Sequence, residues 1–411
     1  MSTFQTAISG LQAASTDLQV LGNNISNANT VGFKQSNAEF ADAYAAAIAG
    51  NAPTNGQIGI GTSVDTVAQQ FSQGNIQSTS NPLDVAINGN GFFQFDYNGS
   101  TVYGRNGQFQ LDSNGYVIDS NGGKLIGVPA VNGVLTGGSG PLQITEGMLA
   151  PQATSGLVFS MNLNSAATPV ASGTAFSTSD PSSYTYSTST TVYDSLGSPH
   201  LLTTYYQLVS GAGTNWNVYY SVNGTTGASG MTSGALGTLP FTSTGTVSGT
   251  VSMSTGALTW TDGANSSTLS VGFSGSTNYA TASAVNSIGD NGYAAGGLTN
   301  LAINPDGTVY GQYSNGQSSI LGQVTLTNFA APQFLQRAGN NYFLETFQSG
   351  PPLTGSPSSG SLGTLQSSAV EGSNVDLSTQ LVNLIVAQQS YQANAQTIKT
   401  QNQVLQTLLA L

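Results

Sequence analysis

The chain has 411 residues, which gives about 2.7 domains at about 150 residues each, and only 5% of it is charged where roughly 25% is usual. Five Lys and Arg against 17 Asp and Glu leave a net charge of −12, which excludes the clustered basic footprint needed for nucleic acid or for an anionic membrane surface. With no Cys, a single His (His200) and four Glu, disulfides and thiol chemistry are excluded, general acid–base work has almost no candidates, and no enzyme activity, cofactor or metal site is expected.

The first residues carry no positively charged stretch ahead of an apolar run, so no cleavable secretory signal is expected. No apolar run reaches the about 18 residues of a membrane span. From Phe4 the positions Phe4, Ile8, Leu11, Ser15, Leu18, Gly22 and Ile25 alternate spacings of four and three, which predicts a helix over 4–27 with one apolar seam. At about 1.5 Å per residue it is roughly 36 Å long. Its polar face is Gln, Asn, Ser and Thr, without the charged i,i+4 pairs that support a solitary helix, so the seam needs a cover. Two covers are open: the protein's own core, as an ordinary terminal hairpin, or other copies of the chain.

Asn23, Asn24 and Asn27, with Asn29 beyond them, can hydrogen-bond nearby backbone and end this helix. Gly32 then permits positive φ, and Phe33 supplies an apolar anchor. A β-rich block follows: Pro82–Ile87 and Phe92–Phe95 around the turn Asn88-Gly89-Asn90-Gly91, then Tyr103–Leu111, a turn at Asp112–Gly115, Tyr116–Ile118 and a turn at Asn121–Gly123. Asp112-Ser113-Asn114-Gly115 opens like a calcium loop, but Tyr116 in the fifth place and Gly123 in the twelfth rule that out.

From about 145 to 288 the composition turns to Ser, Thr and Gly with aromatic strands at Tyr184–Tyr186, Leu201–Leu208 and Trp216–Tyr220, which predicts a folded sandwich or barrel. His200 reads there as a surface or packing residue. A second β block holds Leu301–Tyr310 and Ile320–Leu326. The chain then ends in a longer seam, Leu377, Leu381, Leu384, Gln388, Tyr391, Ala395, Ile398, Asn402, Leu405 and Leu409, a predicted helix of roughly 52 Å.

Several segments occur together in a family's order: Ser9-Gly10-Leu11, Gly22 through Lys34, Asn81 through Phe93, Arg105-Asn106-Gly107-Gln108-Phe109, Ser373-Asn374-Val375-Asp376-Leu377 and Tyr391-Gln392-Ala393-Asn394-Ala395. On these motifs the chain resembles the bacterial flagellar hook proteins, within the larger family of rod, hook and hook-associated axial proteins. The motifs cover roughly residues 1–145 and 285–411. The resemblance implies a multidomain, mainly β fold with long terminal α-helices and a nested, out-and-back path. An inner coiled-coil-like helical domain (1–30 and 370–411) would be followed outward by connecting segments (31–70 and 350–369), a β-rich wall domain (71–144 and 289–349) and an outer β domain (145–288).

It also implies a structural subunit that self-assembles into a tubular hook, a flexible universal joint carrying torque from rod to filament, located outside the cell on the flagellum. Implied partners are further copies of the chain, the distal rod protein, the hook–filament junction protein, the hook cap and the type III export apparatus. Phe4, Ile8, Leu11, Leu18 and Ile25 on one helix, with Leu377, Leu381, Leu384, Tyr391, Ile398 and Leu405 on the other, are the expected assembly seams. Asn23, Asn24, Asn27, Gly32, Phe33, Asn374 and Asp376 are the expected motif residues. Gln380 and Gln389 depart from the family, whose members often carry Glu and Arg there. A distal rod or hook-associated protein is the nearest alternative, but the former lacks a large middle segment and the latter tends to be longer. A secreted β-rich adhesin or carbohydrate-binding protein would account for the aromatic strands but not for seams at both ends.

Overall fold

The computed structural model describes residues 2–43, 61–144, 147–209, 214–226 and 230–409. Residues 44–60, part of the first expected connecting segment, and 145–146, at the expected start of the outer domain, lie outside them. The described chain is mainly β with a helix at each end, α1 (Ser2–Ser26) and α2 (Leu377–Leu409). It divides into two compact units, one of Met1–Glu146, Asn300–Gln312 and Ser318–Leu411, the other of Gly147–Thr299 and Tyr313–Gln317.

In the first unit α1 packs along α2 and against a two-stranded antiparallel ribbon of β1 (Ser36–Ala43) and β2 (Gly61–Gln69). The stripe that α1 buries is Ala7, Ala14 and Leu21, seven residues apart, with Ala13 and Asn24 beside it. Small side chains let the two backbones come close. A Cβ added to Gly10 would stand 2.9 Å from Asn394 Oδ1 on α2.

Both flanking β blocks contribute to one antiparallel sheet. Its strands run in the order Ser318–Val324, Lys124–Val131, Phe92–Tyr97, Ser100–Gly104, Tyr342–Leu344 and Gln336–Gly339. Segments more than two hundred residues apart in sequence are thus neighbours. Phe92, Tyr103, Phe329, Leu335 and Phe343 form a buried aromatic core, with Phe71 edge-on to both Phe92 and Phe343 at 5.3 Å. The hairpin expected around Asp112–Gly115 is present, Phe109–Leu111 pairing with Val117–Asp119, and Asp112 Oδ1 accepts from the backbone N–H groups of Asn114 and Tyr116 at 2.8 Å each.

The strand, turn and strand expected around Asn88–Gly91 are also present, but they do not form a hairpin. Val85–Asn88 pairs with Thr364–Ser367, whereas Phe92–Tyr97 joins the large sheet. Gly89 (φ 110°) and Gly91 (φ 124°) redirect the chain between two sheets instead of folding it back on itself.

The second unit is a sandwich. Tyr186–Tyr193, Pro199–Leu208, Trp216–Asn223 and Met231–Leu239 form a four-stranded antiparallel meander; Ser252–Ser254, Ser270–Gly272, Gly156–Asn162 and Ala284–Asp290 form the facing sheet. Alternate residues of each strand point inward, Trp216, Val218, Tyr220 and Val222 from one sheet and Leu157, Phe159 and Met161 from the other. The aromatic strands predicted from composition are therefore the core of a folded unit. Phe159, fully buried, stacks on Phe273 with ring centroids 6.0 Å apart. Phe159→Ala should cost the sandwich about 3–5 kcal/mol. Calorimetry should show that unit's transition moving down while the first unit's stays in place; one merged transition shifting as a whole would contradict two independently cored units.

Candidate functional site

The segment leaving α1 is fastened to the segment that leads into α2 by a small set of buried polar groups. Asn24, fully buried at the end of α1, uses both ends of its amide. Its Oδ1 accepts from Ser36 N (3.0 Å), and its Nδ2 donates to Ser36 O (2.8 Å) and to Gln380 Oε1 (3.2 Å) on α2. Asn27 closes the helix end, its Nδ2 donating to Asn23 O at 2.9 Å and its Oδ1 accepting from Thr30 Oγ1 at 3.2 Å. Gly32 holds φ at 71°, and a Cβ there would lie 2.6 Å from Asn106 N. Only glycine allows both that conformation and that approach. Asn374 clamps from the other side: its Oδ1 accepts from Gln35 N, and its Nδ2 donates to Gln70 O, both at 2.8 Å.

Beneath these amides lies a buried ion triad. Glu371, fully buried, accepts from Lys34 Nζ at 2.7 Å through Oε1 and from Arg105 Nη1 at 3.0 Å through Oε2. Gly74 N adds a third bond to Oε1 at 2.8 Å, while the Glu371 carbonyl accepts from Gly32 N at 2.8 Å. Lys34 Nζ also donates to Ser72 O (2.7 Å) and Arg105 Nη2 to Gly89 O (2.8 Å), so each cation has a second acceptor. Burial pulls both the Lys34 ammonium and the Arg105 guanidinium below their ordinary pKa values, and the Glu371 carboxylate pulls each of them back up. A third cation, Arg337, lies over the Phe33 ring at 5.7 Å and donates through Nη2 to Lys34 O (3.1 Å) and Ser36 Oγ (2.6 Å).

Asp376 opens α2 as its N-cap. One carboxylate oxygen accepts from Ser378 N (2.9 Å) and Thr379 N (3.3 Å), the other from Thr379 Oγ1 (3.0 Å). Those bonds, led by the Thr379 hydroxyl, hold its carboxyl below the ordinary value. Asn24, Gly32, Phe33, Asn374 and Asp376, singled out by motif, thus all serve one junction, with Asn23 and Asn27 at its helix end.

The seam residues sit differently. On α1, Phe4, Ile8, Leu11, Leu18 and Ile25 are half-buried and flank the Ala7, Ala14, Leu21 stripe. On α2, Gln380 and Ala387 are buried, Leu384 and Ile398 half-buried, and Leu377, Leu381, Tyr391 and Leu405 exposed. Beside Leu381 (44% exposed) lie Val382 (60%), Ile385 (53%) and Val386 (55%), a continuous apolar face that none of the described residues covers. Between α1 and the start of α2, Asp17, Val20, Ser36, Asn383 and Val386 border a 330 Å³ recess. Burial there pushes the Asp17 carboxyl up.

The reading from sequence passed over Lys34, Arg105 and Glu371 as functional positions. Rarity was the available signal: the chain has five cations and four Glu, and three of those nine meet here. In the other unit, Asp194, His200 and Asp262 bring their ligand-type atoms within 4.8 Å of one another. His200, expected as a surface or packing residue, is packed on Trp260 and also bonded to Asp194. Removing the triad's only anion should be severe. Glu371→Gln strands two buried cations and should cost about 3–5 kcal/mol of the first unit's stability in urea unfolding. Because Lys34 sits below its ordinary value of 10.5, the folded wild-type chain binds fewer protons than the unfolded one between the lowered value and 10.5, so the first unit's stability should rise with pH through that window.

Four family descriptions match the chain in order: "Flagella basal body rod protein" over residues 4–34, "Flagellar hook protein FlgE/F/G D1 domain" over 86–156, "Flagellar basal body protein FlaE D2 domain" over 162–293 and "Flagellar basal body rod FlgEFG protein C-terminal" over 366–411. The chain is 42% identical over 417 residues to the flagellar hook protein FlgE of Salmonella typhimurium, covering 100% of both. It is 41% identical to that of Escherichia coli over 99% of each chain, and 30% identical to that of Borreliella burgdorferi over 100% of this chain and 99% of the other. The crystal structure of Helicobacter pylori flagellar hook protein FlgE2 superposes on 72% of this chain and 100% of its own with a TM-score of 0.51 at 14% identity, a likeness of fold. The chain belongs to the flagellar hook protein family.

Proposed function

We propose that this hook-family chain is the structural subunit of the flagellar hook, and that it self-assembles through its terminal helices into a tube acting as a flexible joint between rod and filament. The observation that carries the reading is the bare apolar face of α2. A helix of 33 residues spans roughly 50 Å at about 1.5 Å per residue, and an exposed apolar face on it calls for a cover. Here only a narrow stripe of it, with Gln380 and Ala387 at the centre, is covered by α1. Other copies of the chain supply the missing cover. The two surfaces that would meet are different on each copy, and heterologous contacts that do not close generate an open helical filament.

In this arrangement Leu377, Leu381, Leu384, Tyr391, Ile398 and Leu405 of one copy pack against neighbouring helices, with Phe4, Ile8, Leu11, Leu18 and Ile25 on the flanks of α1. The junction at Glu371 fixes the direction in which α2 leaves. The sandwich unit, rich in Ser, Thr and Gly, offers surfaces with few ion pairs to break, which suits contacts that must exchange as a tube bends. The distal rod protein, the hook–filament junction protein, the hook cap and the type III export apparatus are the partners this role requires, on the flagellum outside the cell.

An aspartate on the bare face separates assembly from folding. Ile385 is more than half exposed, so Ile385→Asp should change the monomer's stability by less than about 0.5 kcal/mol. In the assembled tube it would bury an unpaired carboxylate, which is costly. Thermal melting of the monomer should be unchanged while pelletable tubes disappear. A large fall in monomer stability, or normal tubes from the variant, would defeat the proposal.

A further inference from the structure

The sandwich unit gathers the chain's single histidine and two of its carboxylates at one point. Asp194 is fully buried in the turn after Tyr186–Tyr193, where its Oδ1 accepts from Leu196 N (2.8 Å) and Ser198 N (3.0 Å) and its Oδ2 faces His200 Nε2 at 2.9 Å. The His200 ring is fixed from two sides. It stacks on Trp260 with centroids 4.2 Å apart, and Gly224 closes its back so tightly that a Cβ there would lie 2.3 Å from Nδ1. Nε2 is therefore the nitrogen presented to the carboxylates. Asp262, two residues past Trp260, is the exposed member of the group, and Asn265 N donates to Ser195 Oγ (2.8 Å), tying the Asp262 turn to the Asp194 turn.

Charge balance at this point is incomplete. Two carboxylates stand together, and among the described residues no Lys or Arg forms an ion pair with either of them. A divalent ion at this point would answer both carboxylates.

We propose that Asp194, His200 and Asp262 bind one Zn²⁺ ion, with water completing the coordination on the exposed side. One imidazole nitrogen and two carboxylate oxygens are ordinary zinc donors at about 2.0–2.2 Å, and the imidazole favours zinc over calcium or magnesium, which take oxygen ligands. Each element contributes one ligand: a turn, a strand start and a second turn. The ion would cross-link the two turns of the sandwich, and because it binds only the folded unit it would stabilise that unit by mass action.

Calorimetric titration of the full-length monomer with ZnCl₂ should give one site per chain, accompanied by an upward shift of the sandwich melting transition that a chelator reverses. Co²⁺ in place of Zn²⁺ should give the visible absorption of a tetrahedral site. Asp262→Asn, at an exposed position, should melt like wild type in chelator and yet weaken Zn²⁺ binding by more than about tenfold, the lower end of what even outer-shell changes cause. His200→Gln should abolish the Co²⁺ spectrum. Absence of stoichiometric Zn²⁺ binding in the wild type, or undiminished binding in Asp262→Asn, would overturn the proposal.

Discussion

One buried carboxylate governs the first unit. Among the described residues Glu371 is the only anion that pairs with Lys34 and Arg105, and all three are removed from water. A buried ion pair is a poor source of net stability, since desolvation consumes most of the Coulombic gain, but breaking one is severe because it leaves an uncompensated charge. The consequence is positional. Lys34 follows α1, Arg105 follows a strand of the large sheet, and Glu371 precedes α2, so satisfying one carboxylate fixes three distant segments relative to one another. The backbone joins in through Gly32 N to Glu371 O, and Gly32 is the residue whose lack of a side chain lets the Arg105–Asn106 backbone come close.

From that junction the rest of the helical layer follows. Asn24 and Asn374 translate the fixed position into a crossing point for α1 and α2, and Asp376 starts α2 in a defined direction. Apart from Leu21, the buried contact of the helices is made of alanines, Gly10 and amides. Such packing holds two helices together while leaving the larger residues of α2 facing outward. A chain whose helices buried Leu381, Ile385 and Tyr391 against each other would make a stable hairpin and have nothing to offer a neighbour.

The parts legible in the sequence were those written in local periodicity or turn chemistry. Spacings of three and four marked both helices, and Asp112–Gly115 marked a hairpin in its correct place. The seam that periodicity picked out on α1 is not the stripe α1 buries within the chain: Ala7, Ala14 and Leu21 are, and alanine carries too weak an apolar signal to announce itself. The strands and turn around Asn88–Gly91 are in place, but local turn residues do not say which sheet each flanking strand will join, and here they join different ones. The triad was hidden by distance, its ion pairs spanning 337 and 266 residues. His200 was judged by its immediate neighbours, but Asp194 reaches it across a turn and Asp262 from a different part of the sandwich.

The central claim is that the junction at Glu371 holds α2 with its apolar face bare in the single chain and that other copies cover this face on assembly. Oxidative footprinting of side chains, read by mass spectrometry on monomer and on assembled tubes, tests it directly. Leu381, Val382, Ile385, Val386 and Tyr391 should label readily in the monomer and be strongly protected in the tubes, while buried Phe92 and Phe159 stay protected in both. Equal labelling of the α2 face in the two states, or protection already present in the monomer, would contradict the account.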